Sequence, residues 1–311
     1  MKLLLSTGSM NFSKEQINKI SQIDDVELFI HKDERRPLTV DIDSIEYLVT
    51  FSLLKRYNID DFKSLKCIQS LAAGLNLIPY EKIKKRNIKL FIAKDIYSIP
   101  IAEFVMLRTL QIYKNARFFE YNQLQKRWKK TREIYEINGK TVGIIGFGSI
   151  GQETAKRFSA FGAKIISFSR SDKKSPFLDK HYHMSKLKDK LSLCDIVVIC
   201  LPHNNDTHEL FDKDMFDAMK DNSIFINVAR GKIVNENDLI EKIKDGKFLG
   251  VGLDVTHEEP LDKNNKLWDF DNVYISPHNS YSSDKIEKRL FEYVYNNLYD
   301  FAINKKTKDE N

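Results

Sequence analysis

Apolar side chains gather into short runs at 2–6 (KLLLS), 45–50 (IEYLVT), 67–71 (CIQSL) and 88–92 (IKLFI), and lysine-rich segments such as KEQINKISQI separate them. Runs this short and continuous predict strands buried on both faces, and spacers of helical period predict the crossovers that join parallel strands. From Pro100 the pattern changes. The stretch PIAEFVMLRTLQIYKNARFFEYNQLQKRW keeps helix-period apolar positions throughout, with a proline suited to a first helical turn. It is too long for an ordinary crossover and predicts a helix bridging two domains. A polar segment, KKTREIYEINGK, leads into TVGIIGFGSIG, after which IISFS, IVVICLP, SIFINVA, FLGVGLDV and NVYISPH alternate with helical sequence. That rhythm predicts five or six strands on one doubly wound α/β sheet. The final helical run, IEKRLFEYVYNNLYDFAI, is expected to return to the first domain ahead of a solvated tail, NKKTKDEN. The first domain is then discontinuous, 1–99 with 285–311, and the second spans 100–284 with the bridging helix.

Composition narrows the function classes. A chain of 311 residues with 42% apolar side chains can bury two cores. Lys and Arg number 50 against 44 Asp and Glu, and the excess is scattered along the chain. Scattered charge suits small anionic ligands and excludes a nucleic-acid tract. Cys67, Cys194 and Cys200 are odd in number and lack C-x-x-C spacing, so no disulfide framework or zinc site is expected, and the compartment is read as reducing. The apolar run in MKLLLSTGSMNF is too short for a signal-peptide core, and no stretch approaches a membrane span. A cytoplasmic protein is expected. The long apolar helix points to a two-fold homodimer.

Gly146-Phe147-Gly148-Ser149-Ile150-Gly151 follows the apolar strand Val142 to Ile145 and opens the helical run QETAKRFSAFG. In that context the three glycines serve a tight turn, close approach of backbone to a pyrophosphate, and helix–strand packing, with the helix amino terminus facing the phosphates. An acid that binds the adenosine ribose hydroxyls usually stands about 20 residues further on. Here that place holds Ser169, Arg170 and Ser171. An acid would repel a 2′-phosphate, whereas a guanidinium grips one through paired donors, so NADP(H) is expected to be preferred with NAD(H) possible.

The segment 141–283 resembles the D-isomer-specific 2-hydroxyacid dehydrogenase family, carrying INVARG (226–231), GLDVTHEEP (252–260) and SPH (276–278) in the family's order. LAAGLN (71–76) and SIPIAEF (98–104) resemble its substrate loop and interdomain-helix entry. The resemblance implies a Rossmann-type nucleotide-binding domain, a smaller flavodoxin-like α/β substrate domain, and NAD(P)H-dependent reduction of a small 2-keto acid to a D-2-hydroxy acid. Such a reaction needs a proton for the carbonyl oxygen and groups that hold the substrate carboxylate. His278 is the residue the resemblance makes the acid/base, Glu259 its partner on the other imidazole nitrogen, and Arg230 the cation for the carboxylate. Glu258 is the adjacent competitor, set aside only by the family's Glu-Pro pattern. The resemblance further places Leu201, Pro202 and Thr207 along the cofactor, Val228 and Ala229 beside its ribose, and Asp254 against the nicotinamide carboxamide. Backbone N–H groups of Ala73, Gly74 and Leu75 would hold the substrate carboxylate. Thr256 and His257 depart from the aromatic and acidic residues frequent in the family, which affects local loop packing. His181 and His183 are read as exposed loop residues, His203 as a residue near the nicotinamide by position, and no metal is expected. A different class, a dinucleotide-sensing corepressor-like protein on the same fold, is the alternative.

Overall fold

The computed structural model describes residues 1–8, 12–74 and 77–309, with side chains described through Ile303. The chain forms two compact units, Met1–Tyr97 with Ser283–Asn311, and Ser98–Ser282.

In the first unit β1 (Lys2–Ser6), α1 (Lys14–Ser21), β2 (Glu27–His31), β3 (Tyr47–Thr50), β4 (Cys67–Ser70), α2 (Tyr80–Lys85) and β5 (Lys89–Ile92) build a parallel sheet of order β2-β1-β3-β4-β5. This is the flavodoxin-like order, with its topological switch point between β1 and β3. Ser13 opens α1 with a capping box, accepting from the Gln16 N–H while the Gln16 side chain accepts from the Ser13 N–H. Leu4, Ile45, Leu48, Phe62, Ile68 and Ile83 pack into one buried cluster. The long carboxyl-terminal helix, which runs from Ile286 to Asp309, belongs to this unit. Its Phe301 ring meets Tyr47 edge-on at 5.2 Å, and its Tyr293 carbonyl accepts from Gln69 Nε2 at 3.0 Å.

In the second unit α3 (Ser98–Tyr113), α4 (Ala116–Leu124), β6 (Thr141–Ile145), α5 (Ser149–Ala160), β7 (Lys164–Ser169), β8 (Lys180–His183), α6 (Leu187–Lys190), β9 (Ile196–Ile199), α7 (Lys213–Ala218), β10 (Ser223–Asn227), α8 (Glu236–Lys244), β11 (Phe248–Leu253) and β12 (Val273–Ile275) follow in order; the carboxyl-terminal helix is then α9. All seven strands are parallel, ordered β12-β11-β10-β9-β6-β7-β8. Counted from β6, this is the doubly wound Rossmann order with one strand added at the far edge. Phe211, Phe216, Phe225 and Phe248 form an aromatic cluster on one face, with ring centroids 5.3–6.1 Å apart.

Three details differ from the expectation. The helix read over 100–128 is two helices, because Asn115 sits in the left-handed region (φ +50), which asparagine tolerates better than most residues. His181 and His183 lie on β8 rather than in a loop, with His181 Nδ1 2.9 Å from Ser167 Oγ. β2, which the apolar pattern did not mark, is the other strand missed. Neither missed strand has a fully buried position, and polar residues at both ends dilute the apolar signal.

Arg117 ties α4 to the far edge of this sheet. Its Nη1 donates to the Phe270 and Asp271 carbonyls at 3.1 and 2.5 Å, its Nη2 to the Val273 carbonyl at 2.6 Å, and its guanidinium lies 4.3 Å from the Tyr274 ring centroid. Replacing Arg117 by Ala removes charge-assisted bonds to backbone and is expected to destabilise the fold by about 2 kcal/mol, read as a lower urea midpoint.

Candidate active site

The loop after β6 is fixed by close backbone approach. Gly146 has φ +96, and a Cβ there would lie 2.7 Å from the Cys200 carbonyl oxygen. A Cβ on Gly151 would lie 2.4 Å from the Gly146 carbonyl oxygen, so the first turn of α5 presses directly on the loop. Gly148 differs: nothing lies within 4 Å of its Cβ position. No side chain caps α5 at Gly148, so the amino end of the helix, carrying Ser149 and Ile150, presents its partial positive charge at this open side. Closed inner walls and an open outer face fit a dinucleotide pyrophosphate.

At the end of β7, Ser169 is buried and its Oγ donates to the Ser171 carbonyl at 2.7 Å, which leaves Arg170 projecting outward. Arg170 Nη1 stands 3.4 Å from Asp206 Oδ2, with both side chains more than two-thirds exposed. Asp206 lies in the connection after β9, which also carries Leu201 and Pro202. Buried Thr207 staples that connection: its Oγ1 donates to the Pro202 carbonyl at 2.7 Å and accepts from the Asn204 N–H at 2.8 Å. His203 Nε2 lies 3.1 Å from His208 Nδ1. Burial, the neighbouring His208, and the charges of Lys232 and Arg230 hold the His203 imidazole below its ordinary value.

Arg230, Glu259 and His278 come together. β10 ends in Asn227, whose Oδ1 accepts from the Ala229 N–H at 3.0 Å while its Nδ2 donates to the Arg230 carbonyl at 3.0 Å. That clasp buries Val228 and Ala229 and turns Arg230 out of the strand. Arg230 Nη1 donates to the Ala229 carbonyl at 2.6 Å. Burial lowers the guanidinium's proton affinity, and the Glu259 charge opposes that shift. His278 Nδ1 lies 2.8 Å from Glu259 Oε2, the bond that fixes which imidazole nitrogen is left outward. The Glu258 backbone carbonyl accepts from Thr256 Oγ1 at 2.7 Å. The Thr256 N–H donates weakly to Glu259 Oε1 at 3.4 Å.

His278 has φ +49, an uncommon conformation for a residue with a side chain. Asp254 holds it there. The His278 N–H donates to the Asp254 carbonyl at 2.7 Å. The fully buried Asp254 carboxylate accepts from Ser276 Oγ at 2.8 Å, the Asn279 N–H at 2.9 Å and the Ser280 N–H at 3.0 Å. Asn227, Ser276 and Glu236 were not singled out in the sequence. Glu236, at the start of α8, accepts from the His257 N–H at 3.0 Å and from Asn265 Nδ2 at 2.7 Å, and so anchors the turn that carries Glu259. An asparagine closing a strand just before VARG was the one available signal.

In the first unit, Ala73 and Gly74 follow β4 at the carboxyl end of that sheet, while Leu75 lies outside the described residues. Ser70 Oγ accepts from the Ala72 N–H at 3.1 Å, and Tyr97 Oη donates to the Leu71 carbonyl at 2.5 Å, which together hold this turn. Among the described residues no group of three or more His, Cys, Asp and Glu is placed to hold a metal, and no helix is long and apolar enough to cross a membrane.

A glycine loop of this geometry, with a histidine–carboxylate pair and an arginine at neighbouring strand ends, defines a dinucleotide-dependent oxidoreductase. The model of the D-isomer specific 2-hydroxyacid dehydrogenase NAD-binding domain matches residues 106–280. Glyoxylate reductase of Pyrococcus horikoshii is 32% identical over 293 residues, 89% of this chain and 87% of that one. Among solved structures, D-lactate dehydrogenase of Aquifex aeolicus with NAD and lactic acid aligns with a TM-score of 0.80 at 25% identity, over 97% of this chain and 96% of that one. The NADPH-dependent glyoxylate/hydroxypyruvate reductase of Sinorhizobium meliloti, with NADP and sulfate, aligns with a TM-score of 0.76 at 26% identity, over 96% and 94%. The chain belongs to the D-isomer specific 2-hydroxyacid dehydrogenase family and is an NAD(P)-dependent oxidoreductase.

The glycine geometry separates folding from binding. Gly148→Ala is expected to leave stability within about 0.5 kcal/mol while raising the Kd for dinucleotide at least several-fold, because the added methyl enters the open side only. Gly151→Ala, pressed against the Gly146 carbonyl, is expected to lower Tm without any ligand present. Thermal melts and cofactor titration of the two variants check both outcomes.

Proposed function

We propose that this enzyme reduces a small 2-keto acid to the D-2-hydroxy acid, reversibly, with NADPH as the favoured cofactor. The observation that carries the reading is the 2.8 Å bond between His278 Nδ1 and Glu259 Oε2, beside an Arg230 that feels the Glu259 charge. His278 delivers a proton from Nε2 to the carbonyl oxygen in reduction and recovers it in oxidation. Glu259 orients the ring and stabilises the imidazolium. Arg230 holds the substrate carboxylate with its planar fork and polarises the carbonyl. In the first unit, the backbone N–H groups of Ala73 and Gly74, after β4, bind a carboxylate.

Gly146, Gly148, Ser149, Ile150 and Gly151 hold the pyrophosphate, Leu201, Pro202, Thr207, Val228 and Ala229 flank the nucleoside, and Asp254 keeps His278 in place beside the nicotinamide. When bound, the dinucleotide supplies or accepts the hydride. Ser169, Arg170 and Ser171 receive the 2′-phosphate. The exposed Arg170–Asp206 pair contributes little by itself, so a phosphate displaces Asp206 from the guanidinium at small cost.

Two measurements test this. NADPH oxidation followed with a panel of keto acids is expected to show turnover that His278→Ala lowers about 10²–10⁴-fold in kcat/KM; activity unchanged by that substitution would overturn the assignment. The ratio of kcat/KM for NADPH over NADH is expected to exceed one, and to fall below one when Ser169→Asp is combined with Arg170→Ala. A wild-type enzyme that prefers NADH removes the role given to Arg170.

A further inference from the structure

Glu34, in the connection from β2 to β3, is buried, and its carboxylate collects five donors. Oε1 accepts from Ser6 Oγ at 3.1 Å, Thr50 Oγ1 at 2.7 Å and the Phe51 N–H at 3.0 Å. Oε2 accepts from the Ser52 N–H and Ser52 Oγ, both at 2.7 Å. Ser6 ends β1 and Thr50 ends β3, so the carboxylate sits across the switch point of the first sheet, where open α/β folds bind ligands. Two successive backbone N–H groups and three hydroxyls converging on one point make an anion nest, and the chain fills it with its own side chain.

The nest borders the turn that carries Ala73 and Gly74. β3 and β4 pair directly, about 4.8 Å apart as neighbouring strands are, and the Leu71 N–H donates to the Thr50 carbonyl at 2.8 Å. On a short keto acid held at that turn, a second carboxylate is the group whose chemistry such a neighbouring nest accepts. With Glu34 seated, every donor there is engaged and a further anion meets like charge.

We propose that Glu34 is a specificity-determining residue which occupies the anion nest at the β1–β3 switch point and thereby confines the enzyme to monocarboxylic 2-keto acids. This rests on the keto-acid reading and on the place given to Ala73 and Gly74. A buried acceptor of five hydrogen bonds is also structural, so the test separates the two roles.

In E34A the nest opens to solvent anions. Acetate, which restores the lost carboxylate, is expected to raise the Tm of E34A in a concentration-dependent way and to leave the wild type unmoved, since a ligand stabilises only the protein that binds it. Should E34A be recovered folded only when acetate is present, the same conclusion follows; no stabilisation and no recovery by acetate overturns the nest. The second arm compares glyoxylate and pyruvate with oxaloacetate and 2-oxoglutarate. E34A is expected to shift the ratio of kcat/KM toward the dicarboxylic acids by about tenfold or more, and acetate to reverse the shift. An unchanged ratio in folded E34A overturns the specificity role. Wild-type enzyme without turnover on any keto acid would instead defeat the reading of the activity, and the acetate melts still decide whether the nest exists.

Discussion

The site depends on one buried carboxylate that never meets solvent. Asp254 closes β11 and gathers the Ser276 hydroxyl and the N–H groups of Asn279 and Ser280, while its own carbonyl takes the His278 N–H. A charged acceptor supplied with that many donors is strong enough to hold a histidine in left-handed backbone, a conformation costing about 1–3 kcal/mol elsewhere. The imidazole then has one direction available, and Glu259 fixes its remaining freedom by bonding Nδ1. The orientation of the imidazole follows from backbone geometry set at the end of the neighbouring strand.

Glu34 plays the matching part in the first unit. Both acids sit at the carboxyl edge of a parallel sheet, and both accept from backbone N–H groups together with hydroxyls. The loops that leave these strand ends carry N–H groups that no ladder pairs, and an internal carboxylate accepts from them. Such an arrangement makes the loops there rigid, and it holds only while each lone pair is used, because an unmatched buried charge costs several kcal/mol.

The central strands were legible because they are continuous apolar runs: Leu3 to Leu5, Tyr47 to Val49, and Ile196 to Ile199 are fully buried where the pattern placed them. β2 and β8 escaped because ELFIH and KHYH begin and end in polar residues and neither has a fully buried position. The break at Asn115 was invisible to periodicity, which continues in phase across it. In the site, Arg230, Glu259 and His278 were named from motif order through the family resemblance, with the Glu-Pro pattern needed to choose Glu259 over its neighbour Glu258. The residues that shape their setting, Asn227, Glu236 and Ser276, were not, because a hydrogen bond to backbone across the fold leaves no spacing rule in the sequence. For the same reason Glu34, in the unremarkable run HKDERR, was silent until Ser6 and Ser52 surrounded it.

The cysteines carry a consequence of another kind. Burial pushes the thiols of Cys67, Cys194 and Cys200 up to about 12, which keeps thiolate scarce at neutral pH; Cys67 and Cys194 are fully buried, while Cys200 is partly exposed. Cys67 lies in the first unit, and Cys194 and Cys200 lie in the second. Each unit therefore carries one fully buried thiol, Cys67 or Cys194, and the rate at which it becomes reactive measures how often that unit opens, independently of the other.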